Sequence, residues 1–389
     1  VDLLNCNTSI QNYTNLPKTL IQKNQGNILL TGATGYLGIH ILKELLEQKN
    51  EIIYCLLRNE KGISLKQKLL NQLHFYFNDK FDKFIDNRIV IVNGDLTLDN
   101  LGLNDIDYNE IMTNTTTVIN CAAKVSHFGK YELYKKINVN SVQKLIEFCK
   151  LTNKTLYHIS TTSVSGNSFQ EDDSLNISTT TFKENNFYIN QKLDNVYVKS
   201  KFEAEKIILS ELNNGLDAYI LRIGNLMGRF CDGHFQKNIE ENAYVNRLLS
   251  FIRIKSIPKY FLNHTLEFTP VDSCANAIIH LIDYPNSNNR IFHLLNNNRI
   301  LINDLINIFE KEYFRITPVS ESQFKKTVEI LLKSNSNGYL NGKLNYEQLI
   351  TVNSDFSNNY LDLTNFKWPK IDEKYIKKFF KYLSNLYKF

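Results

Sequence analysis

A tyrosine and a lysine four residues apart, in Tyr197-Val198-Lys199-Ser200-Lys201, fall on one face of any helix that contains them. An ammonium beside a phenol favours the phenolate, so Tyr197 is expected to donate and accept a proton near neutral pH. Upstream, Ser160-Thr161-Thr162-Ser163 closes an apolar run. A hydroxyl at the carboxyl end of a strand can hydrogen-bond an oxygen on which charge develops. Thr161 is preferred to its rivals Thr162 and Ser163 because it stands three before Val164 of the Val164-Ser165-Gly166 turn. Further upstream, Thr31-Gly32-Ala33-Thr34-Gly35-Tyr36-Leu37-Gly38 follows one apolar run and opens another of helical period. Glycines at those spacings allow a tight turn and a close backbone approach, and the helix N-terminus then faces a pyrophosphate. The second apolar run ends in Leu56-Leu57-Arg58-Asn59, where a carboxylate would hold a ribose 2′-hydroxyl. Arg58 stands there instead, with Lys68 beyond, and a guanidinium forks onto a phosphate. The cofactor expected is therefore NADPH. Asp95, in Asn93-Gly94-Asp95-Leu96, is placed to accept from an adenine amine, and the small residues of Asn120-Cys121-Ala122-Ala123 let a flat cofactor lie against the backbone.

The elements that must hold these residues alternate. NILLT (27–31), EIIYCLL (51–57), IVIV (89–92), TVINC (117–121), TLYHIS (155–160) and DAYILRI (217–223) read as strands. Segments 36–48, 131–150 and 196–212 read as helices. Strand, helix, strand at these lengths predicts right-handed crossovers and an α/β, Rossmann-like, doubly wound parallel sheet. After about residue 228 the rhythm breaks. Helices are expected at 271–282, 300–311, 320–333 and 372–387, and a short strand at 290–295. The domain reading is a leading arm over 1–26, then a nucleotide-binding domain over 27–228 to which 265–300 returns. A smaller, mostly helical substrate lobe is expected over 229–264 and 301–389.

The 389 residues, 43% hydrophobic and 22% charged, suit a globular protein with a substantial core and exclude a disordered chain. The net charge of +5 is spread along the chain with no basic block, so no nucleic-acid partner is expected. The 6 cysteines form no CxxC pair, which disfavours a disulfide scaffold or a zinc site and points to a reducing, cytoplasmic setting. No metal is expected. No apolar run reaches the roughly 18 to 20 residues that span a bilayer.

Together, TGATGYLG (31–38), LLRNE (56–60), GDL (94–96), CAAKV (121–125), INVNS (137–141), HISTTSVSG (158–166), YVKSKFEAE (197–205), LRIGNLMG (221–228) and FTPVDSCANAI (268–278) resemble the extended short-chain dehydrogenase/reductases. More narrowly, they are similar to the thioester reductase domains that terminate nonribosomal peptide synthetases and polyketide synthases. The resemblance covers about residues 27–300 and is loose beyond. It implies Thr161, Tyr197 and Lys201 as a catalytic triad. It implies that Gly32, Thr34, Gly35, Tyr36, Leu37, Gly38, Arg58, Lys68, Asp95, Leu96, Ala122, Ala123 and Lys124 line NADPH, and that Ile223, Gly224 and Leu226 pass the nicotinamide. Ile223 stands where the family often has Pro, and Ser126, beside His127, where it tends to have Asn.

The activity so implied is NADPH-dependent reductive release of a carrier-bound peptidyl or acyl thioester as an aldehyde, with an alcohol after a second hydride. The partner is a carrier domain bearing a phosphopantetheine thioester, expected in the same polypeptide. The missing initiator Met and the polar arm suit a domain cut from behind such a carrier. The alternative is a free-standing acyl-CoA reductase, or a sugar-nucleotide or hydroxysteroid dehydrogenase on the same scaffold. A non-catalytic NADP(H)-binding regulator would have no need of the Tyr197–Lys201 pair. No cysteine lies near the triad in sequence, so an acyl-enzyme route is not expected.

Overall fold

Seven short apolar runs form one sheet in the computed structural model of the chain, which describes residues 16–17, 19–23, 25–126, 129–169, 180–286, 288–312, 315–334 and 350–386. The strands are β1 (Asn27–Thr31), β2 (Ile53–Leu57), β3 (Ile89–Asn93), β4 (Thr115–Asn120), β5 (Thr155–Thr161), β6 (Ala218–Ile223) and β7 (Ile291–Leu294). Their order is β7-β6-β5-β4-β1-β2-β3, and every pairing is parallel. β2 and β6 are buried along their whole length, as continuous apolar strands covered on both faces must be. The helices between them include α1 (Tyr36–Gln48), α2 (Leu65–Phe77), α3 (Asp105–Asn114), α4 (Ser141–Thr152) and α5 (Val196–Leu212). Strand order reverses between β1 and β4, which opens a crevice at their carboxyl ends, the usual ligand position in such sheets. The fold is Rossmann-like.

Local chemistry fixes the element starts that matter. Asn195 caps α5, its side-chain oxygen accepting from the N–H groups of Tyr197 and Val198 at 2.8 and 3.3 Å, so Tyr197 enters in the first turn. The helix expected over 131–150 is interrupted by a π-helical stretch, Lys135–Asn140. There Asn138 turns inward, accepting from Lys124 N at 2.8 Å and donating to Ser200 Oγ at 2.9 Å. Such wide turns recur where a side chain is re-aimed at a functional site.

The described residues fall into two compact units. One comprises Val1–Gly224, Cys274–Leu294 and Gln348–Lys367, and the other Asn225–Ser273, Leu295–Glu347 and Trp368–Phe389. This division differs from the sequence-based boundaries at 225–228, 265–273, 295–300 and 348–367. Segment 348–367 joins the sheet-bearing unit for a specific reason. Thr351–Val352 pairs in parallel with Thr181–Phe182, and Ser357 donates to Glu184 and accepts from the backbone N–H of His293 on β7. The second unit is mostly helical, with helices Ala243–Ile254, Ile302–Glu312, Glu321–Ser334 and Glu373–Leu386. Its core is aromatic and aliphatic, with the rings of Phe309 and Phe380 4.3 Å apart.

Candidate active site

The glycine loop is sterically committed. Gly32 has φ +71°, and a Cβ on it would lie 2.6 Å from Ala122 N. A Cβ on Gly38 would lie 2.0 Å from the carbonyl oxygen of Gly32, so only glycine lets α1 pack on the strand end. At the start of α1, Gly35 provides no side-chain cap and the first turn carries no acidic residue. The N–H groups there form a donor set for an anion, as a pyrophosphate requires. Among the described residues, no group of three or more His, Cys, Asp or Glu is arranged to hold a metal, and no helix is long and apolar enough to cross a membrane.

Arg58 is exposed just past β2, and Lys68 in the first turn of α2 donates to the Arg58 carbonyl at 3.2 Å and pairs with Glu60 at 3.0 Å. The two cations thus share one corner. Asp95 accepts from Thr97 N at 2.9 Å. Burial pushes its carboxyl up, but the Thr97 hydrogen bonds and the charges of Arg58 and Lys136 outweigh this and hold it below the usual range. Leu96 is buried beside it. Ala122 N donates to Thr31 Oγ1 at 3.3 Å, and Lys124 lies over the Tyr134 ring. Ile223 is buried at the end of β6, and Gly224 N donates to Leu294 O at 2.9 Å. Leu226 falls in the second unit, where Leu226–Met227 pairs with Thr269–Pro270.

The Thr161 side chain lies close enough to the Tyr197 phenol to act on its titration. Thr161 Oγ1 also accepts from Ser163 N at 3.1 Å, whereas Thr162 donates to Ile223 O at 3.3 Å. Lys201, one turn past Tyr197, is 2% exposed and donates to Ile159 O at 2.6 Å. Its Nζ also lies 2.9 Å from His158 Nε2. Burial lowers the Lys201 ammonium to about 8, against the charges of Glu205 and Cys121. The sequence led us to expect an ammonium that lowers the phenol. Instead burial, then Cys121, pushes Tyr197 up, with the Thr161 side chain acting the other way. The phenol is therefore a neutral donor at pH 7.

Sequence reasoning gave His158 and Asn138 no role and read Asn120 only as part of a small-residue strand end. His158 and Asn120 are buried polar groups in apolar strands, and Asn138 sits on the π-helical stretch. Cys121, distant from the triad in sequence, is close enough in space to act on both Tyr197 and Lys201. Burial pushes its thiol up to about 12, with Lys201 pulling it down, so it is a neutral thiol near pH 7. His127 and residues 170–179, between Thr161 and Tyr197, lie outside the described residues, as do residues 1–15 of the arm.

Residues 30–278 match the NAD-binding family described as male sterility protein. The chain is 28% identical over 304 residues to a linear gramicidin synthase of Brevibacillus parabrevis, an alignment covering 77% of this chain and 6% of that protein. Among solved structures, it is similar to a thiolation-reductase di-domain from an archaeal non-ribosomal peptide synthetase. The TM-score there is 0.87 at 30% identity, covering 99% of this chain and 81% of that one. The reductase domain of an aureusimine biosynthetic cluster gives 0.81 at 25% identity, covering 99% and 98%. The chain thus spans a small part of the curated relative and nearly all of an isolated reductase domain.

Proposed function

The chain belongs to the male sterility protein family of NAD-binding domains, in company with reductase domains of nonribosomal peptide synthetases, and on that premise we propose that it reduces a carrier-bound acyl or peptidyl thioester with NADPH and releases the chain as an aldehyde. One observation carries this reading: Thr161, at the carboxyl end of β5, acts on the Tyr197 phenol in the first turn of α5, with Lys201 buried one turn further along that helix.

NADPH, when bound, supplies the hydride. The backbone of the Gly32–Gly38 loop, with Thr34, Gly35, Tyr36 and Leu37, would hold its pyrophosphate. Arg58 and Lys68 would take the 2′-phosphate. Asp95 and Leu96 would face the adenine, and Ala122, Ala123 and Lys124 would line the middle of the cofactor. Ile223 and Gly224 would pass the nicotinamide, with Leu226 just beyond them in the chain. The neutral Tyr197 phenol and the Thr161 hydroxyl donate to the thioester oxygen as it gains charge. Tyr197 then gives its proton to that oxygen, completing a hemithioacetal. Collapse breaks the C–S bond: the hemithioacetal hydroxyl returns its proton to Tyr197, the aldehyde forms, and the phosphopantetheine thiolate leaves and picks up a proton. The same donors serve an aldehyde carbonyl, so a second round yields the alcohol. Lys201 holds the positive charge beside this chemistry. The partner is a carrier domain, which supplies the thioester on its flexible arm.

The test is turnover of a loaded carrier domain with NADPH, followed by cofactor absorbance and mass spectrometry of the released product. Aldehyde or alcohol formed in step with NADPH oxidation supports the reading. Turnover of a soluble acyl-CoA with none of the carrier-bound chain would replace it with a free-standing acyl-CoA reductase.

A further inference from the structure

Polar side chains on three neighbouring strands line up across the sheet and end on Lys201. Thr31 pairs with Asn120 in the β1–β4 register, and Asn120 with His158 in the β4–β5 register. All three are buried. Thr31 Oγ1 lies 2.7 Å from Asn120 Oδ1, Asn120 Nδ2 lies 3.1 Å from His158 Nδ1, and His158 Nε2 lies 2.9 Å from Lys201 Nζ. Ala122 N closes the far end on Thr31 Oγ1. The row joins the strand end that opens the glycine loop to a lysine on α5.

Each atom of such a row must face a donor with an acceptor. Burial, then the Lys201 charge, holds His158 well below the usual imidazole range, so the ring is neutral and carries one N–H. Two arrangements give each facing pair along the row one donor and one acceptor. If Lys201 has lost its proton, His158 Nε2–H donates to Nζ, Asn120 Nδ2 donates to Nδ1, and Thr31 O–H donates to Oδ1. That is the carboxamide orientation seen here. If Lys201 is an ammonium, Nε2 accepts from it, Nδ1–H donates to the carboxamide oxygen, and the carboxamide N–H donates to Thr31. A half-turn of the Asn120 amide, which exchanges oxygen and nitrogen in place, interconverts the two. Glu205, paired with Arg222, together with Cys121 and Tyr197 are the other titratable groups around this end of the row. Lys201 is the charge acting on His158.

We propose that Thr31, Asn120 and His158 form a reversible hydrogen-bond row that positions Lys201 and reverses direction with its protonation, a role that rests on Lys201 serving the proposed reduction. The row itself carries no net proton. Protons enter and leave at Lys201, and the row reorients so that the lysine keeps its place in either state. His158 is thus a positioning residue, not a catalytic one.

The test uses protein labelled with ¹⁵N at histidine, with His158 assigned by its loss in His158→Gln. Long-range proton–nitrogen spectra are expected to show a ring neutral throughout, protonated on Nδ1 well below the Lys201 value and on Nε2 well above it. An imidazolium at either end, or one tautomer at both, overturns the proposal. In parallel, His158→Gln, whose amide can accept or donate at the Nε2 position, should keep kcat within about threefold, while His158→Leu should lose about tenfold or more with KM for the thioester little changed. Equal losses in both variants, each melting near the parent, also overturn it. If His158→Leu does not fold, the spectra decide. A folded Lys201→Met variant that still turns over would refute the lysine's part in the reaction, while the tautomer result stands on its own.

Discussion

At Lys201 a cation sits where burial disfavours it, which has consequences for both reaction and stability. Its ammonium is lowered from 10.5 to about 8 by burial, so between those values the unfolded chain binds more protons than the folded one. The penalty is present in full below pH 8 and is relieved as the pH rises toward 10.5. Relative to Lys201→Met, the parent should therefore gain stability across that window, by up to about 3 kcal/mol. Denaturant melts at several pH values check this, and a flat difference would contradict it. Tyr197→Phe should bind NADPH normally yet lose about 10²- to 10⁴-fold in kcat, because the neutral donor is gone. Equilibrium titration beside single-turnover rates separates the two effects. Arg58→Ala should weaken NADPH far more than NADH, by the roughly 1.5 to 3 kcal/mol of a hydrogen bond to a charged group. Equal losses for both cofactors would show that Arg58 does not read the 2′-phosphate.

Among the elements, α5 is tied to the sheet by charge as well as by apolar packing. Arg222 on β6 forks onto Glu205 of α5, with contacts at 2.8 to 3.2 Å, and both side chains are fully buried. Ser160 donates to the same carboxylate at 2.5 Å, and Arg222 also reaches Asn186 O and His293 Nε2. Removing one partner leaves the other charge without compensation. Arg222→Leu should destabilise the fold by about 3–5 kcal/mol, and adding Glu205→Leu should recover part of that. Thermal melts of the single and double variants test it, and additive losses would deny the coupling. The strands and α5 were legible in the sequence because each is a local pattern: a short apolar run, a glycine triplet, a four-residue spacing. His158 was not, because in TLYHIS it reads as one polar interruption and acquires a partner only when β4 and β5 come into register. Asn138 was hidden for a related reason, since helical periodicity does not announce a π-helical stretch. Cys121 follows directly on β4, and only the sheet order brings it near α5.

For the molecule as a whole, docking of the proposed carrier domain is expected on the second unit. Lys255 and Lys259 are both exposed there, around the strand Ser256–Pro258. Carrier domains are usually acidic, so reversing both charges should raise the apparent KM for a carrier-bound thioester while sparing a short soluble one. If both substrates respond alike, or neither does, docking lies elsewhere. The division of the chain bears on how such a protein can change over time. Among the described residues the chain passes from one unit to the other at 224/225, 273/274, 294/295, between 334 and 350, and at 367/368. β7 and the segment bearing Ser357 are therefore made only after the chain has already visited the second unit. No single crossover in a gene could exchange one unit and leave the other intact. Recombination between related genes would have to transfer this whole stretch as a cassette, and a chimera spliced after Gly224 would pair one parent's β6 with the other parent's β7 and should be less stable than either parent.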